Sequence, residues 1–308
     1  MARSRSRPRP VPRFFLFLVL VTGAFVTAAY LAGQALERTS QNSSVSECET
    51  TARLAASVVS EYIAGLTLGM EAASDNPRLI AACRVRDTET ARGCLRQLVS
   101  LSRRYDRVFL ADTSGVEWCD YPNDPRVIGK SFAYRQWFRW VRGSQQVYIS
   151  PRYRRAAGKQ EAVVAMAVPV TGAGGGTVAY LVGQIVLQSL EREVKTSVGD
   201  WPGALMISDR ADNLVLPVKA DSAAVMPRDL YNLVARAKKE NGTSRGAIDG
   251  VESVVAAIEV KVLGGLAIAT APLTHSLDEA RRTTRRYRNV ALVAGLAVSL
   301  LGLLLLRK

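Results

Sequence analysis

Two stretches of the chain carry no charge: Phe14 to Gly33 near one end and Val290 to Leu306 near the other. The first is long enough for a helix to cross the roughly 30 Å hydrocarbon layer of a bilayer, and the second sits at the short end of that range. The first also exceeds the apolar region of a cleaved signal peptide, so the pattern predicts a retained membrane helix over 14–33 and another over 290–306. Between them, Gln34 to about Ser74 places Leu36, Val45, Cys48, Ala52, Ala55, Val59, Tyr62, Ile63 and Leu66 at three- and four-residue steps, the period of one helix face. No proline interrupts the run. A helix this long, leaving a membrane span, reads as a stalk whose stripe pairs with a second copy of the chain. Asn76 and Pro77 read as the cap and first position of a further helix, which runs to about Cys83, and another helix covers Thr88 to Arg104.

The period then switches to that of strands. Arg107 to Asp112 and Val116 to Tyr121 flank a turn at Thr113, Ser114 and Gly115, and Tyr134 to Arg142 is an aromatic-rich helical turn. Val147 to Ser150, Glu161 to Val170 and Thr177 to Leu187 read as three more strands. Gly172 to Gly176 leads into a strand instead of opening a helix, so it predicts a hairpin loop and not a phosphate cradle. A helix over Leu190 to Val198 leads out of this module. A smaller copy follows: a strand at Ala204 to Ser208, a turn at Arg210 to Asn213, an amphipathic helix at Asp229 to Glu240, and strands at Ser244 to Asp249, Val251 to Val260 and Gly265 to Thr270. His275 to Arg288 then reads as an exit helix.

The organisation predicted is a basic segment 1–13, a span 14–33, a stalk and helical region 34–104, a first mixed module 105–200 and a smaller module 201–274. An exit helix 275–289, a span 290–306 and a terminal 307–308 complete it. The fold class is α+β: a long N-terminal helix carrying two antiparallel-sheet modules, with helices on one side of each sheet, between two membrane helices.

The net charge of +14 comes from 41 basic and 27 acidic residues, which invites a nucleic-acid reading until the charges are placed. Five arginines (3, 5, 7, 9 and 13) precede the first apolar run, and Arg281, Arg282, Arg285, Arg286, Arg288, Arg307 and Lys308 bracket the second. Without those twelve, 29 basic residues face 27 acidic ones. The modules are nearly neutral, whereas a nucleic-acid binder carries its basic stripe on the folded domain. The leading arginines hold the amino terminus in the cytoplasm and put residues 34–288 outside. Cys48, Cys83, Cys94 and Cys119 show no metal-ligand spacing and leave two readings, a Cys83–Cys94 disulfide or four separate thiols.

The order of short motifs resembles the double Cache (PAS-like) ectodomains of bacterial chemoreceptors, sensor kinases and cyclic-dinucleotide signalling enzymes. The carrying residues are Val108 to Gly115, Gly129, Arg135 to Phe138, Tyr148 to Pro151, Ala167 to Val170 and Gly183 to Leu187. The resemblance covers about residues 34–288. It implies two PAS-like (Cache) modules in tandem, a membrane-distal one that binds small ligands and a proximal one that often does not, in a two-pass protein of the bacterial inner membrane. In amino-acid-binding members of the family, an arginine followed by tryptophan and an aromatic clasps the ligand carboxylate, a role that falls here on Arg135, Trp137 and Phe138. A guanidinium is a planar fork that matches a carboxylate, and indole offers an apolar wall.

Other positions depart from that pattern. The last-strand aspartate that would hold an ammonium group is replaced by Gln184, the tyrosine region reads Arg152, Tyr153, Arg154 without a carboxylate, and Lys130 stands where those members carry tyrosine. An ammonium ion is thus expected to find no counter-charge, and the expected ligand is a small organic acid or related anion. Its candidate contacts are Arg135, Trp137, Phe138, Tyr121, Lys130, Tyr148, Arg152, Tyr153 and Gln184, with Met166 as a further wall. Each has a plainer reading: Arg135 paired with Asp120 or Asp124, the aromatics in the core, and the remaining cations on a solvated face.

The single histidine, His275, leaves no serine triad or histidine metal cluster, and no phosphate loop is present. The sequence therefore predicts no enzyme, cofactor or metal. The expected partners are the bilayer, a second copy of the chain and a separate cytoplasmic signalling protein, unless an output domain lies outside this sequence. The competing class is a membrane-anchored protein-interaction subunit without a small ligand. A leucine-filled distal pocket would favour that class, and a polar cavity around Arg135 would favour sensing.

Overall fold

The computed structural model describes residues 11–102, 104–159, 161–217, 226–273, 282–295 and 297, with side chains from residue 20 onward. Helix α1 (Val11–Ser74) runs the length of the molecule. Asn76 caps α2 (Pro77–Val85), its side-chain oxygen accepting from the Arg78 N–H, and α3 (Thr88–Ser102) follows. The distal sheet contains β1 (Arg107–Ala111), β2 (Glu117–Tyr121), β3 (Tyr148–Ile149), β4 (Tyr153–Arg154), β5 (Ala162–Thr171) and β6 (Thr177–Val186), with α4 (Gln136–Ser144) on one face. Helix α5 (Leu187–Val198) leads to β7 (Leu205–Ser208), β8 (Leu214–Leu216), α6 (Arg228–Lys239), β9 (Thr243–Ile248), β10 (Val251–Val260) and β11 (Gly265–Pro272).

The sheets are ordered β2-β1-β6-β5-β3, with β4 also on β5, and β8-β7-β11-β10-β9. The same antiparallel pattern therefore occurs twice, each time with its crossover helix on the face away from α1. Even the first turns match. Asp112 accepts from the N–H groups of Ser114 and Val116, and Asp209 accepts from those of Ala211 and Asn213, so a side-chain carboxylate mimics a backbone turn in both. Two short strands, β4 and β8, escaped the sequence reading. Pro151 has no N–H to donate, and it separates β3 from β4 where a single strand would otherwise run along β5.

From Cys48 onward the stripe along α1 is covered by the chain's own sheets, which corrects the expectation that this stretch of the stripe faces a second copy. Cys48 and Ala52 pack on Val254, Ala256 and Ala269 of the proximal sheet. Val59, Ile63, Leu66 and Met70 join the core behind the distal sheet with Val108, Leu110, Val164, Met166 and Leu181. Gly183 makes the closest approach possible, because a Cβ there would lie 3.0 Å from the Met70 sulfur and 3.1 Å from the Tyr105 ring. Met166, expected in a pocket wall, belongs to this core behind the sheet. All four cysteines are free thiols, so the disulfide reading is not realised.

Among the described residues, no helix is long and apolar enough to cross a membrane. The predicted second span lies mostly outside the described residues. Residues 282–295 are helical and lie alongside α1: the Thr284 side chain sits where a Cβ on Gly33 would be, and Thr22 is next to Gly295.

Because the α1 stripe is intramolecular core, Ile63→Ala is expected to destabilise the fold by about 2–5 kcal/mol. Denaturant unfolding should show a lower midpoint that does not depend on protein concentration, whereas a stripe buried between two chains would give a concentration-dependent loss.

Candidate functional site

The face of the distal sheet turned away from α1 is lined with large aromatics over small residues. Phe109, Phe132, Trp137, Phe138, Tyr148 and Tyr180 pack over Ala165, Ala167 and Val182. Trp137 meets Phe109 and Phe138 edge-on at 5.8 Å between centroids. Polar side chains enter this layer at the β1 end. Arg107 and Gln184 are cross-strand partners on β1 and β6, so both side chains emerge on one face.

Strand alternation would give Glu117 the same face as Cys119, behind the sheet. A β-bulge prevents this. Leu110 pairs with Cys119 but Ala111 pairs with Glu117, leaving Trp118 as the extra residue. An inserted residue shifts the alternation by one, and Glu117 turns to the pocket side with Asp120. Both carboxylates then form ion pairs with Arg107, that to Asp120 at 2.9 Å, with all three residues buried. Asp120 also accepts from the Asp124 N–H at 2.9 Å, tying the following loop to the cluster.

Arg135 stands at the residue that precedes α4, with its side chain free of any capping bond to the helix. Its half-buried guanidinium lies 4.6 Å over the Tyr153 ring and 5.0 Å from that of Tyr134, and donates to the Arg154 carbonyl at 3.2 Å. Gln184 Nε2 donates to the Tyr153 hydroxyl at 2.8 Å. Burial pushes that hydroxyl up to about 12, so it keeps its proton and can donate to an anion. The loop that closes the site is held by the Arg155–Glu161 ion pair and by the Gly158 N–H on Asp124.

A small cavity of about 10 Å³ remains, lined by Arg107, Phe109, Glu117, Arg135, Tyr153 and Gln184 among others; this is about the space that one water centre requires. Around it, Glu117 Oε2, Gln184 Oε1 and Arg107 Nε have no hydrogen-bond partner among the described residues, which is uncommon for buried polar atoms. Among the described residues, the matching face of the proximal module has no such feature. There Leu230, Leu233, Val234 and Ala237 of α6 meet Met206, Val255, Leu266 and Ile268 in an apolar core.

Of the residues expected at the site, Arg135, Trp137, Tyr153 and Gln184 come together at the cavity. Phe138 lies one ring further out against Tyr180, at 5.3 Å. Tyr148 is also removed from the cavity, stacked on Trp140 at 4.9 Å. Tyr121 packs behind the sheet, because its neighbour Asp120 takes the pocket side. Lys130 is exposed in the loop before α4. Arg152 points to the other module instead: its N–H donates to Asp209 at 2.8 Å and its guanidinium to the Leu214 carbonyl at 2.6 Å. Arg135 does not pair with Asp120 or Asp124, which bind Arg107 and Arg126. Arg107, Glu117 and Asp120 were missed, and the expectation that no carboxylate approaches the site is corrected by Glu117.

Comparison with known proteins adds the fold. No family model matches the chain, and no curated protein matches it in sequence. Among solved structures, the ligand-binding domain of the Pseudomonas fluorescens chemoreceptor CtaA in complex with L-isoleucine is similar at a TM-score of 0.60 and 15% identity, covering 79% of this chain and 98% of that one. The sensory domain of the Campylobacter jejuni chemoreceptor Tlp3 with isoleucine bound gives 0.59 and 13%, covering 79% and 97%. That of the Pseudomonas aeruginosa amino acid chemoreceptor PctB with L-Gln gives 0.57 and 20%, covering 75% and 91%. The chain has the fold of the chemoreceptor ligand-binding domains. The double Cache resemblance read from the motifs therefore holds at the level of fold, and the tandem sheets on one long helix are its architecture.

Burial raises the Glu117 carboxyl from 4.5 to about 7; Arg107 pulls it down, and Asp120 and Asp124 push it up. A carboxyl that holds its proton more tightly when folded stabilises the fold fully below the unfolded value near 4.5, and that contribution is lost as pH rises through about 7. Between pH 4.5 and 8 the parent is thus expected to lose on the order of 2 kcal/mol relative to Glu117→Gln. Urea unfolding of both proteins across this range measures the difference, and parallel curves would contradict it.

Proposed function

We propose that this chain is an extracytoplasmic sensor whose distal module binds a small carboxylate-bearing molecule at Arg135 and passes the occupancy of that pocket towards the membrane. The observation that carries this reading is a half-buried guanidinium at the mouth of a polar cavity, beside a protonated Tyr153 hydroxyl and an indole wall. A guanidinium and a phenol together suit a carboxylate, because charge-assisted hydrogen bonds of this kind are the strong ones. A leucine-filled distal pocket would suit a pure protein-interaction subunit; in this chain the leucines of the matching face lie in the packed core of the proximal module. The similar CtaA, Tlp3 and PctB domains carry isoleucine or glutamine in their structures, both of them small carboxylate-bearing molecules.

Arg152 is the first step of the outward path. It follows the β3–β4 break, precedes Tyr153 in the pocket wall, and is bonded to the β7–β8 turn of the proximal module. Anchoring is part of the proposal: two uncharged stretches flank the modules, and Leu20, Leu31, Val290 and Val293 are exposed apolar residues on helices that lie side by side. Such surfaces fit lipid.

Calorimetric titration of the full chain with a panel of small organic acids tests the site. Arg135→Ala is expected to weaken whichever acid binds by about 2–4 kcal/mol; undiminished binding would place the site elsewhere. For the topology, reporter fusions after Gly250 and after Lys308 are expected to report opposite sides of the membrane, and a same-side result would remove the second span.

A further inference from the structure

Polar atoms left unpaired in a protein interior cost free energy, and those around the distal cavity are of two kinds. Arg135 and Tyr153 offer donors at one side. At the other, Glu117 Oε2 and Gln184 Oε1 are buried acceptors without a donor among the described residues. Glu117 is fully buried, lines the cavity, and reaches it only because of the bulge at Trp118. A bulge that re-aims one side chain beside a binding site is a recurrent functional device. Its ion pair with Arg107 uses the other oxygen, Oε1, so Oε2 is left for a ligand. With a cavity this small, both sets of atoms face the same few atoms of whatever binds.

We infer that Glu117, with Gln184, is a specificity-determining residue of this site: it accepts a hydrogen bond from an amine or hydroxyl next to the ligand's carboxylate. The inference rests on the reading of Arg135 as the carboxylate partner and adds the second group that the ligand must carry. An acid with no such donor leaves the two oxygens unpaired and is rejected, because a site built to receive a donor penalises its absence strongly. Ionised Glu117 is the better acceptor. The groups facing it are Arg107 from β1, Asp120 on its own strand, Asp124 in the next loop, Gln184 from β6, Tyr153 from β4 and Arg135 from α4. With its proton held to about pH 7, an ammonium-bearing ligand must displace that proton, so its binding strengthens from pH 5.5 to 8.

The probes are three acids that share a three-carbon skeleton: racemic alanine, racemic lactate and propionate, titrated calorimetrically into the full chain. Alanine or lactate is expected to bind roughly tenfold or more tightly than propionate, and the preferred one names the donor. Glu117→Gln is expected to erase alanine's advantage over propionate. As a measurement that needs no variant, alanine binding by the parent at pH 6 is expected to release a fraction of a proton approaching one, read from the dependence of the heat on buffer ionisation enthalpy. If propionate binds as tightly as both substituted acids, and Arg135→Ala weakens all three, the role of Glu117 is overturned while the carboxylate reading stands. If none of the three binds at millimolar concentration, or Arg135→Ala leaves them unchanged, the carboxylate reading fails and takes this inference with it. Should alanine be the preferred acid, binding without proton release overturns the role of ionised Glu117 even if the variant does not fold.

Discussion

Everything in this molecule is arranged along one apolar stripe on α1. A sheet must bury one face, and neither sheet buries its inner face against the other; both use the same helix. The stripe is graded to suit them. Cys48 and Ala52 let the proximal sheet approach closely, whereas Val59, Ile63, Leu66 and Met70 fill the deeper space behind the distal sheet, where α2, α3 and Tyr105 also pack. Because the helix covers one face of each sheet, the opposite faces are left to the crossover helices α4 and α6. What those helices bring decides whether a face becomes core or site.

The two faces show how little separates these outcomes. The topology is the same and the first turns are built alike, yet α6 brings leucines and α4 brings Arg135 and aromatics. In the distal module the aromatics do not close over the β1 end, since Arg107, Glu117 and Asp120 occupy it. Burying three charges is costly, and their mutual attraction offsets that cost only with good geometry and satisfied hydrogen bonds. Here one guanidinium serves two carboxyl groups, one of them raised to about 7 by burial, and several of the cluster's atoms have no partner among the described residues. A purely structural cluster would be expected to complete its hydrogen bonds. An incomplete one beside a cavity is what the proposed binding site would complete with a ligand.

Much of this was legible in the residues. Periodicity placed α1's buried face from Cys48 to Leu66, although Leu36 on the same stripe is exposed, because a stripe of Ala, Val and Ile at three- and four-residue steps admits one helical face whatever covers it. It could not say what covers it: an apolar stripe looks the same against a partner as against the chain's own sheet. The Arg135 to Phe138 motif placed two of the expected contacts, Arg135 and Trp137, at the cavity, and the matched positions of Tyr153 and Gln184 added two more, but the facing of β2 was misjudged. Glu117 was given no role, and the bulge that brings it to the pocket while leaving Tyr121 behind the sheet is invisible unless the partner's register is known. Arg107 reads as an ordinary strand-edge cation until Gln184 is found opposite it. Arg152 was offered to the ligand on charge alone, while its position after a proline break sends it to the other module.

That position of Arg152 bears on how a binding event could travel. Coupling between sites needs an element with contacts to both, and the segment Ser150 to Arg154 has them within a few residues. Its end at Tyr153 shares the cavity with Gln184 and lies under Arg135. Its middle, Arg152, is held by Asp209, a carboxylate that also organises the proximal turn through Ala211 and Asn213. Ser150 adds a latch on β5, its hydroxyl accepting from the Ala165 N–H at 2.9 Å. A shift of Tyr153 on filling the cavity would load the Asp209 turn directly, without passing through α1, whose close packing on both sheets resists small displacements. The break in the strand at Pro151 is therefore what gives the pocket wall a route to the second module separate from the shared helix.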